Sequence, residues 1–189
     1  TDTLNYFLYV INAYACSGND SVRVIVNHLP VANAGSDISF CSGNTDTVGS
    51  VSIAGYAYQW PPPTGVTNPA ASLSLITLSN NDTITDTLNY SVTATVGACS
   101  TSDTVRVLVY ALPLVDAGTD VFFCSGGSDT IGSSSIGGYI YLWSPSTGLS
   151  NATVSNPVVS LTNPLIPNDT TVYIVTVTTG FGCFDRDTV

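Results

Sequence analysis

The sequence repeats itself at a spacing of 83 residues, and this repetition constrains the fold more than any other feature. Residues 29–43 (LPVANAGSDISFCSG) match residues 112–126 (LPLVDAGTDVFFCSG), and residues 50–60 (SVSIAGYAYQW) match residues 133–143 (SSSIGGYIYLW). Cysteine, tryptophan, glycine and the Leu-Pro pair keep the same register in both copies. A fixed period over nearly the whole chain is typical of tandem structural copies rather than of one large domain.

The repeated Leu-Pro pairs predict where one copy ends and the next begins. One complete copy spans residues 31–113. Residues 114–189 form a second copy that lacks the end of its last strand, and residues 1–30 are the C-terminal strands of a truncated earlier copy. The opening hexapeptide TDTLNY recurs at residues 85–90, at the start of a predicted strand of the complete copy. We therefore expect the chain to begin inside a copy.

Composition and breaker residues predict an all-β fold. Lys, Glu and Met are absent, whereas Val, Ile, Thr and Tyr are frequent, so strand formers outnumber strong helix formers. Alternating patterns and turn residues predict about seven short strands in each copy of about 83 residues, a rhythm typical of an immunoglobulin-like β-sandwich. Six of these strands can be placed in the complete copy: SDISF (36–40), TVGSVSIAG (47–55), YAYQW (56–60), ASLSLITL (71–78), TLNYSVTATV (87–96) and SDTVRVLVY (102–110).

Charge and cysteine usage narrow the environment of the protein. A net charge of −10 argues against binding to nucleic acid or to an anionic membrane surface. No apolar run approaches the roughly 18 residues of a spanning helix, so the chain is not expected to cross a membrane. Five widely spaced cysteines, none in a CxxC pair, argue against structural zinc and favour an oxidising, extracellular or cell-surface location.

Three stretches carry a resemblance to a known family: AGTDVFFCSG (117–126), YLWSPSTGLSN (141–151) and VYIVTVTTGFGC (172–183). They resemble the Ig-like and PKD-type (fibronectin-like) tandem repeats of giant surface proteins of gliding Bacteroidetes. Those proteins are exported by the type IX system and include gliding-motility adhesins. The resemblance covers essentially the whole chain but weakens over residues 61–85, where the spacing of the residues predicted for the second sheet differs from that of the family. It implies a longer parent protein and an extracellular filament or adhesin, and it implies no particular ligand.

We therefore expect a structural or adhesive filament segment, whose partners are neighbouring copies of the same chain and other copies in a fibre. The alternatives are a carbohydrate- or protein-binding module and an accessory domain of an exported enzyme. We do not expect an enzyme, because the only histidine, His28, lies in a predicted linker and catalytic His must be placed beside a nucleophile.

No cofactor is expected, although calcium is a hypothesis at the junctions between copies. Asn33 and Asp37 lie just past one Leu-Pro pair, and Asp116 and Asp120 lie just past the other. Carboxylate and amide oxygens are the ligands that Ca²⁺ prefers. The sequence has no acidic loop of the EF-hand type.

The cysteines allow two connectivities. Counting within each copy pairs Cys41 with Cys99 and Cys124 with Cys183. In a sandwich, however, those turns fall at opposite ends, too far apart for the roughly 7 Å limit between bonded Cα atoms. A bond from Cys41 to Cys183 would instead join one copy to the next, and Cys16, Cys99 and Cys124 would pair outside this sequence. Both connectivities stay open from the sequence.

A short motif of Asp, then Ser or Thr, then an aliphatic residue or Thr, occurs nine times. It resembles the O-glycosylation signal of extracytoplasmic Bacteroidetes proteins. The competing interpretation is that Asp ends a turn and a β-branched residue starts a strand. The acceptors would be Thr3, Ser21, Thr47, Thr83, Thr87, Thr104, Thr130, Thr170 and Thr188.

Overall fold

A computed structural model describes residues 2–164 and 169–189 and confirms the predicted all-β, immunoglobulin-like fold. Thirteen β-strands and no helix occur in these ranges. The strands are β1 (Asp2–Ile11), β2 (Ser17–Val26), β3 (Ile38–Cys41), β4 (Thr45–Gly49), β5 (Ala57–Gln59), β6 (Leu73–Thr77), β7 (Asp86–Val96), β8 (Cys99–Tyr110), β9 (Ser128–Thr130), β10 (Ile140–Ser144), β11 (Val158–Ser160), β12 (Ile174–Thr178) and β13 (Phe184–Thr188).

The complete copy is built from a four-stranded and a two-stranded sheet. The larger sheet has the order β3-β8-β7-β5, and the smaller sheet pairs β4 with β6. Strand β3 runs parallel to β8, with Ile38 opposite Val107 and Cys41 opposite Tyr110. This parallel pairing places the first strand of the copy beside its last strand, at one edge of the sheet.

The second copy has the same order of strands apart from the first one. Its larger sheet has the order β10-β12-β13, and its smaller sheet pairs β11 with β9. Residues 121–124, which the 83-residue period aligns with β3, form no strand. Their side chains border the groove described below.

Buried side chains recur at the same 83-residue spacing, which explains why the two sequences match where they do. Trp60 and Trp143 are buried, and each indole N–H donates to a backbone carbonyl 11 residues ahead at 2.9 Å. A buried indole needs such a partner, so both tryptophans are held in one orientation. The other aligned buried pairs are Ala34 with Ala117, Val48 with Ile131, Ile76 with Val159, Tyr90 with Tyr173, Val92 with Val175 and Ala94 with Val177.

Strand β4 ends well before the predicted position. The pattern TVGSVSIAG predicts a strand over residues 47–55, but β4 ends at Gly49. Gly49 has a φ of +94°, and a Cβ at this position would collide with the carbonyl oxygen of Ser72 and contact the Trp60 ring. Only glycine fits this backbone conformation beside the tryptophan, and the chain leaves the extended conformation there.

Strands β1 and β2 form an antiparallel hairpin with ten paired positions, from Asp2 opposite Val26 to Ile11 opposite Ser17. Every described residue of the hairpin is exposed, including Phe7 at 79% and Tyr9 at 66%. Large apolar side chains point to both faces of this ribbon. The hairpin therefore presents surface that the equivalent strands bury in the other copies.

Contacts within the chain group into two compact units. The first contains residues up to Asp37, Asp46–Ile76 and Asn89–Arg106, and the second contains Ile38–Thr45, Thr77–Leu88 and Val107–Val189. The predicted copy boundaries at residues 30 and 113 therefore stay a prediction. Thr1 and residues 165–168 of the predicted copies lie outside the described residues.

Candidate functional site: a disulfide-linked junction

The first half of the site is the loop that follows β3. Cys41 ends the strand, and the N–H of Asn44 donates to its carbonyl oxygen at 3.0 Å. Gly43 turns the chain with a φ of +81°, and its N–H donates to the carbonyl oxygen of Leu78 at 2.8 Å. These bonds hold the Cys41 side chain at one end of the sheet, beside Tyr110 of β8.

The second half is the turn between β12 and β13. The N–H of Thr179 donates to the carbonyl oxygen of Cys183 at 2.8 Å, and that of Gly182 donates to the carbonyl oxygen of Thr179 at 3.0 Å. Gly182 has a φ of +82°, a conformation that glycine adopts without steric cost. The turn presents Phe181 outward and buries Cys183 to 1% exposure.

The structure joins these halves through a disulfide between Cys41 and Cys183. The Cα atoms lie 5.5 Å apart, within the range for an unforced bond, and the two residues are 142 positions apart in sequence. The rings of Tyr110 and Phe181 stack beside the bond, with centroids 4.2 Å apart and planes 4° from parallel. A covalent bond and an aromatic contact therefore secure the same place, which the sequence predicts to be a junction between the complete copy and the second copy.

The alternative connectivity, Cys41 with Cys99 and Cys124 with Cys183, is wrong for this structure. Cys99 begins β8, whereas Cys41 pairs with Tyr110 at the other end of the same strand. Eleven residues of extended strand separate the two ends by roughly 36 Å, far beyond the reach of a disulfide. Cys99 and Cys124 have free thiols, as does Cys16.

Sequence reasoning missed the aromatic pair at the junction. Phe181 aligns with no residue of the complete copy, because the turn of the second copy is one residue longer than the turn at residues 97–99. An inserted aromatic residue directly before a Gly-Cys pair is the signal that would have identified it. Tyr110 ends a predicted strand and has no polar motif around it.

The calcium hypothesis stays a prediction, and the structure shows how its residues are used. The Asn33 and Asp116 side chains each accept an N–H from the glycine two residues ahead, at 2.9 Å. Asp37 accepts the N–H of Arg106 at 3.0 Å and lies 3.3 Å from its guanidinium, whereas Asp120 is exposed. In the part of the chain that the structure describes, no three His, Cys, Asp or Glu side chains come together to hold a metal ion.

The nine possible O-glycosylation acceptors are all exposed. The preceding aspartate accepts the acceptor's own N–H at several of them, for example at 2.7 Å in Thr47 and Thr130 and at 2.8 Å in Thr188. Such bonds fit the alternative interpretation, in which Asp orders the start of a strand. The acceptors are accessible, so glycosylation stays a prediction. A measurement of the intact mass of native protein tests it.

One aspartate in each copy accepts a backbone N–H near the beginning of that copy. The N–H of Ala34 donates to Asp103 at 2.9 Å, and the N–H of Ala117 donates to Asp187 at 2.8 Å. The bond from Ala117, followed by that from Thr188, lowers the pKa of the Asp187 carboxyl group. Both aspartates therefore act as hydrogen-bond acceptors for the backbone.

A groove of about 750 Å³ opens in the second copy beside residues 120–125. Phe122, Phe123, Leu161 and Tyr173 supply apolar walls, and Phe122 is 91% exposed. In the complete copy, the residues aligned with 121–124 pair with Val107–Tyr110 of β8. The groove therefore lies at the position that the end of β8 occupies in the complete copy.

No model of a known protein family and no curated protein matches the sequence. Among solved structures, extracellular domains 3–5 of Drosophila OTK align over 98% of this chain and 69% of that one, at 14% identity and a TM-score of 0.44. Titin domains Z1Z2 in complex with telethonin align over 87% and 95%, at 15% identity and a TM-score of 0.37.

A third neighbour is BT4661, a SusE-like, surface-located polysaccharide-binding protein of Bacteroides thetaiotaomicron. It aligns over 98% of this chain but 42% of its own length, at 11% identity and a TM-score of 0.42. No helix within the described ranges has the length and hydrophobicity needed to span a membrane.

Proposed function

We propose that this chain is a structural and adhesive segment of a long extracellular bacterial surface filament built from tandem Ig-like copies. The disulfide between Cys41 and Cys183 is the observation that carries the proposal. Consecutive copies of a binding module need only a flexible linker to be displayed together. A covalent bond that ties one copy to the next adds resistance to separation, which a load-bearing filament requires.

The surface of the molecule supports the same proposal. The chain carries 13 acidic and three basic residues, and a strong net charge keeps an extended array soluble without a specific partner. The single histidine is exposed and lies in the segment between the hairpin and the complete copy. These features suit a repetitive structural element.

The resemblance of the sequence to repeats of gliding Bacteroidetes surface proteins supports a finer proposal. We place this filament on the cell surface, exported by the type IX system and contributing to adhesion or gliding. Neighbouring copies of the same chain are its first partners. An oxidising extracellular compartment is also the one in which a structural disulfide persists.

Peptide mapping of native surface material tests the proposal. Free thiols are alkylated first, the protein is digested without reductant, and the linked peptides are identified by mass spectrometry. We expect Cys41 linked to Cys183, in material that electron microscopy shows as filaments. Alkylated Cys41 and Cys183 in such material would overturn the proposal. Tight binding in a glycan screen by a chain that forms no filaments would favour the binding-module alternative.

A further inference from the structure

The larger sheet of the second copy turns an apolar face to solvent. Side chains alternate along each strand, so Trp143, Val175 and Val177 are buried on one side of the sheet and their neighbours point to the other. The outward residues are Ile140, Leu142 and Ser144 in β10, Ile174, Thr176 and Thr178 in β12, and Phe184, Arg186 and Thr188 in β13. Four of them are large, apolar and 40–66% exposed: Ile140, Leu142, Ile174 and Phe184.

The register of the strands brings these four side chains into one patch. Thr178 of β12 lies between Ile140 of β10 and Phe184 of β13, and Leu142 is the next outward residue after Ile140. Ile174 lies in the last row of the same face. Outward side chains of neighbouring strands lie about 5 Å apart, so the apolar residues form a continuous surface, the outer patch.

The fold itself does not require an apolar surface here. At the aligned positions the complete copy has small or polar residues, namely Ala57, Gln59, Ser91 and Ser100. The pairing is the same in both copies, since Ala57 lies opposite Thr95 as Ile140 lies opposite Thr178. The same sheet is therefore built with a polar face in one copy, and the apolar residues of the other copy are available for a contact.

Among these outward residues, Arg186 is the only charged one. Its guanidinium group lies 5.6 Å from the centroid of the Phe184 ring, within the range of a cation–π contact. The chain as a whole carries a net charge of −10. Two copies therefore repel each other least where their outer patches meet, and Arg186 of each copy attracts the acidic surface of the other.

The outer patch has the shape and size of a contact between sheets. Small molecules bind in concave sites, whereas a sheet face is nearly flat and packs about 10 Å from another sheet. The exposed halves of four large apolar side chains add up to roughly 400 Å². Two such faces with their polar rims bury about 1,000 Å² together, the area at which a weak but specific interface begins.

We propose that the outer patch packs against the same patch of a second copy of this chain, so that neighbouring filaments lie side by side. This inference deepens the filament function proposed above and rests on it for its setting. A second copy supplies a flat apolar face of equal size and a negative net charge for Arg186. Because the same surface is used on both sides, the contact is two-fold and closes at a dimer.

A single contact of this size is weak. We expect a dissociation constant on the order of 100 µM, because association must first offset the lost translational and rotational freedom. In a filament, the patch recurs wherever a copy has the outward residues of the second copy. Several weak contacts between the same two filaments then act together, because the effective concentration at each later contact is far higher than in free solution.

Sedimentation of the full chain over a concentration series tests the proposal. Free thiols are alkylated beforehand, so that no disulfide forms between molecules. We expect the parent chain to form dimers between about 10 µM and about 1 mM. The double variant Ile140→Ala with Leu142→Gln carries the residues of the complete copy at these positions, and it should raise the dissociation constant at least about tenfold.

The matched control removes apolar surface from the other sheet. Leu73 and Leu75 of β6 are half-exposed in the complete copy, and the second copy has Asn156 and Val158 at the aligned positions. The double variant Leu73→Asn with Leu75→Val should leave the dissociation constant unchanged within about twofold. Both double variants keep the first hairpin, so any association through its exposed side chains affects them equally.

Hydroxyl-radical footprinting detects the contact on the parent chain without any substitution. Phe184 and Leu142 should lose about half of their reactivity at about 1 mM protein relative to about 10 µM, because most molecules are then dimeric. Leu73 is the internal control and should keep its reactivity.

The proposal is overturned if the parent chain stays monomeric up to about 1 mM, if both double variants dimerise as the parent chain does, or if Phe184 keeps its reactivity. A monomeric parent chain would mean that the outer patch binds a different partner. The map of the bond between Cys41 and Cys183 in native material is a separate measurement. Filaments that contain this bond, made of a chain that is monomeric when purified, refute the lateral contact and leave the filament function standing.

Discussion

Breaking the bond between Cys41 and Cys183 should increase the extension released when the protein unfolds under force by roughly 500 Å. The bond closes a covalent ring over 142 positions of sequence. Extended residues span about 3.3–3.6 Å each, so the closed ring prevents roughly 470–510 Å of chain from extending. While the bond is intact, force applied at the chain ends passes through the sulfur atoms. Only the residues outside the ring, about 46, are then free to extend, by roughly 160 Å.

Optical-tweezers measurements on a chain held at both ends test this prediction. The protein is stretched with and without reductant, and the variant Cys41→Ser with Cys183→Ala serves as the genetic equivalent of reduction. Alanine is chosen at position 183 because the side chain is buried there. Cys124→Ser is the matched control and should behave as the parent chain does. A total lengthening near 650 Å in oxidised protein with a verified bond would refute the assigned path of force.

Three further predictions concern the second copy and are measured by chemical denaturation. Gly132→Ala should destabilise by about 3 kcal/mol or more, because its φ is +85° and a Cβ would collide with backbone, whereas Gly137→Ala, with open space around it, should change stability by less than about 0.5 kcal/mol. Equal effects of the two would contradict the structure. Tyr173→Phe should cost about 1 kcal/mol through the lost hydrogen bond of its hydroxyl group, and an unchanged midpoint would show that this bond contributes nothing. The pKa of Asp187 is lowered in the folded state, so the ionised carboxylate stabilises the fold above the ordinary pKa of 3.8, and this stabilisation is lost as the pH falls through the lower folded pKa. The variant Asp187→Asn should therefore lose less stability than the parent chain between about pH 4 and 2. Identical acid-denaturation curves would count against a stabilising role of this carboxylate.

The sequence was sufficient to predict the fold class, because the period of 83 residues marks side chains that a sandwich must bury. Trp60 and Trp143 align, and both are buried with the same hydrogen bond. The end of β4 was mispredicted because the apolar alternation continues past Gly49. What ends that strand is the close approach of the Trp60 ring and the Ser72 carbonyl oxygen from later parts of the chain, which local sequence does not encode.

The site could be predicted only in part. Spacing reduced the cysteine pairing to two alternatives, and the choice depends on the parallel pairing of Ile38–Cys41 with the end of β8. A pairing between the first and last strands of a copy leaves no local signal. Phe181 was visible in the sequence as an extra residue, but its stacking on Tyr110 depends on a contact between separate copies.

The ring closed by Cys41 and Cys183 also determines what a protease can do to this molecule. Exposed loops such as residues 81–85 lie inside the ring. A single cut there opens the ring but leaves every fragment attached through the disulfide. Release of a segment from this region takes two cuts, so the molecule survives as one piece after damage that would divide an unlinked chain.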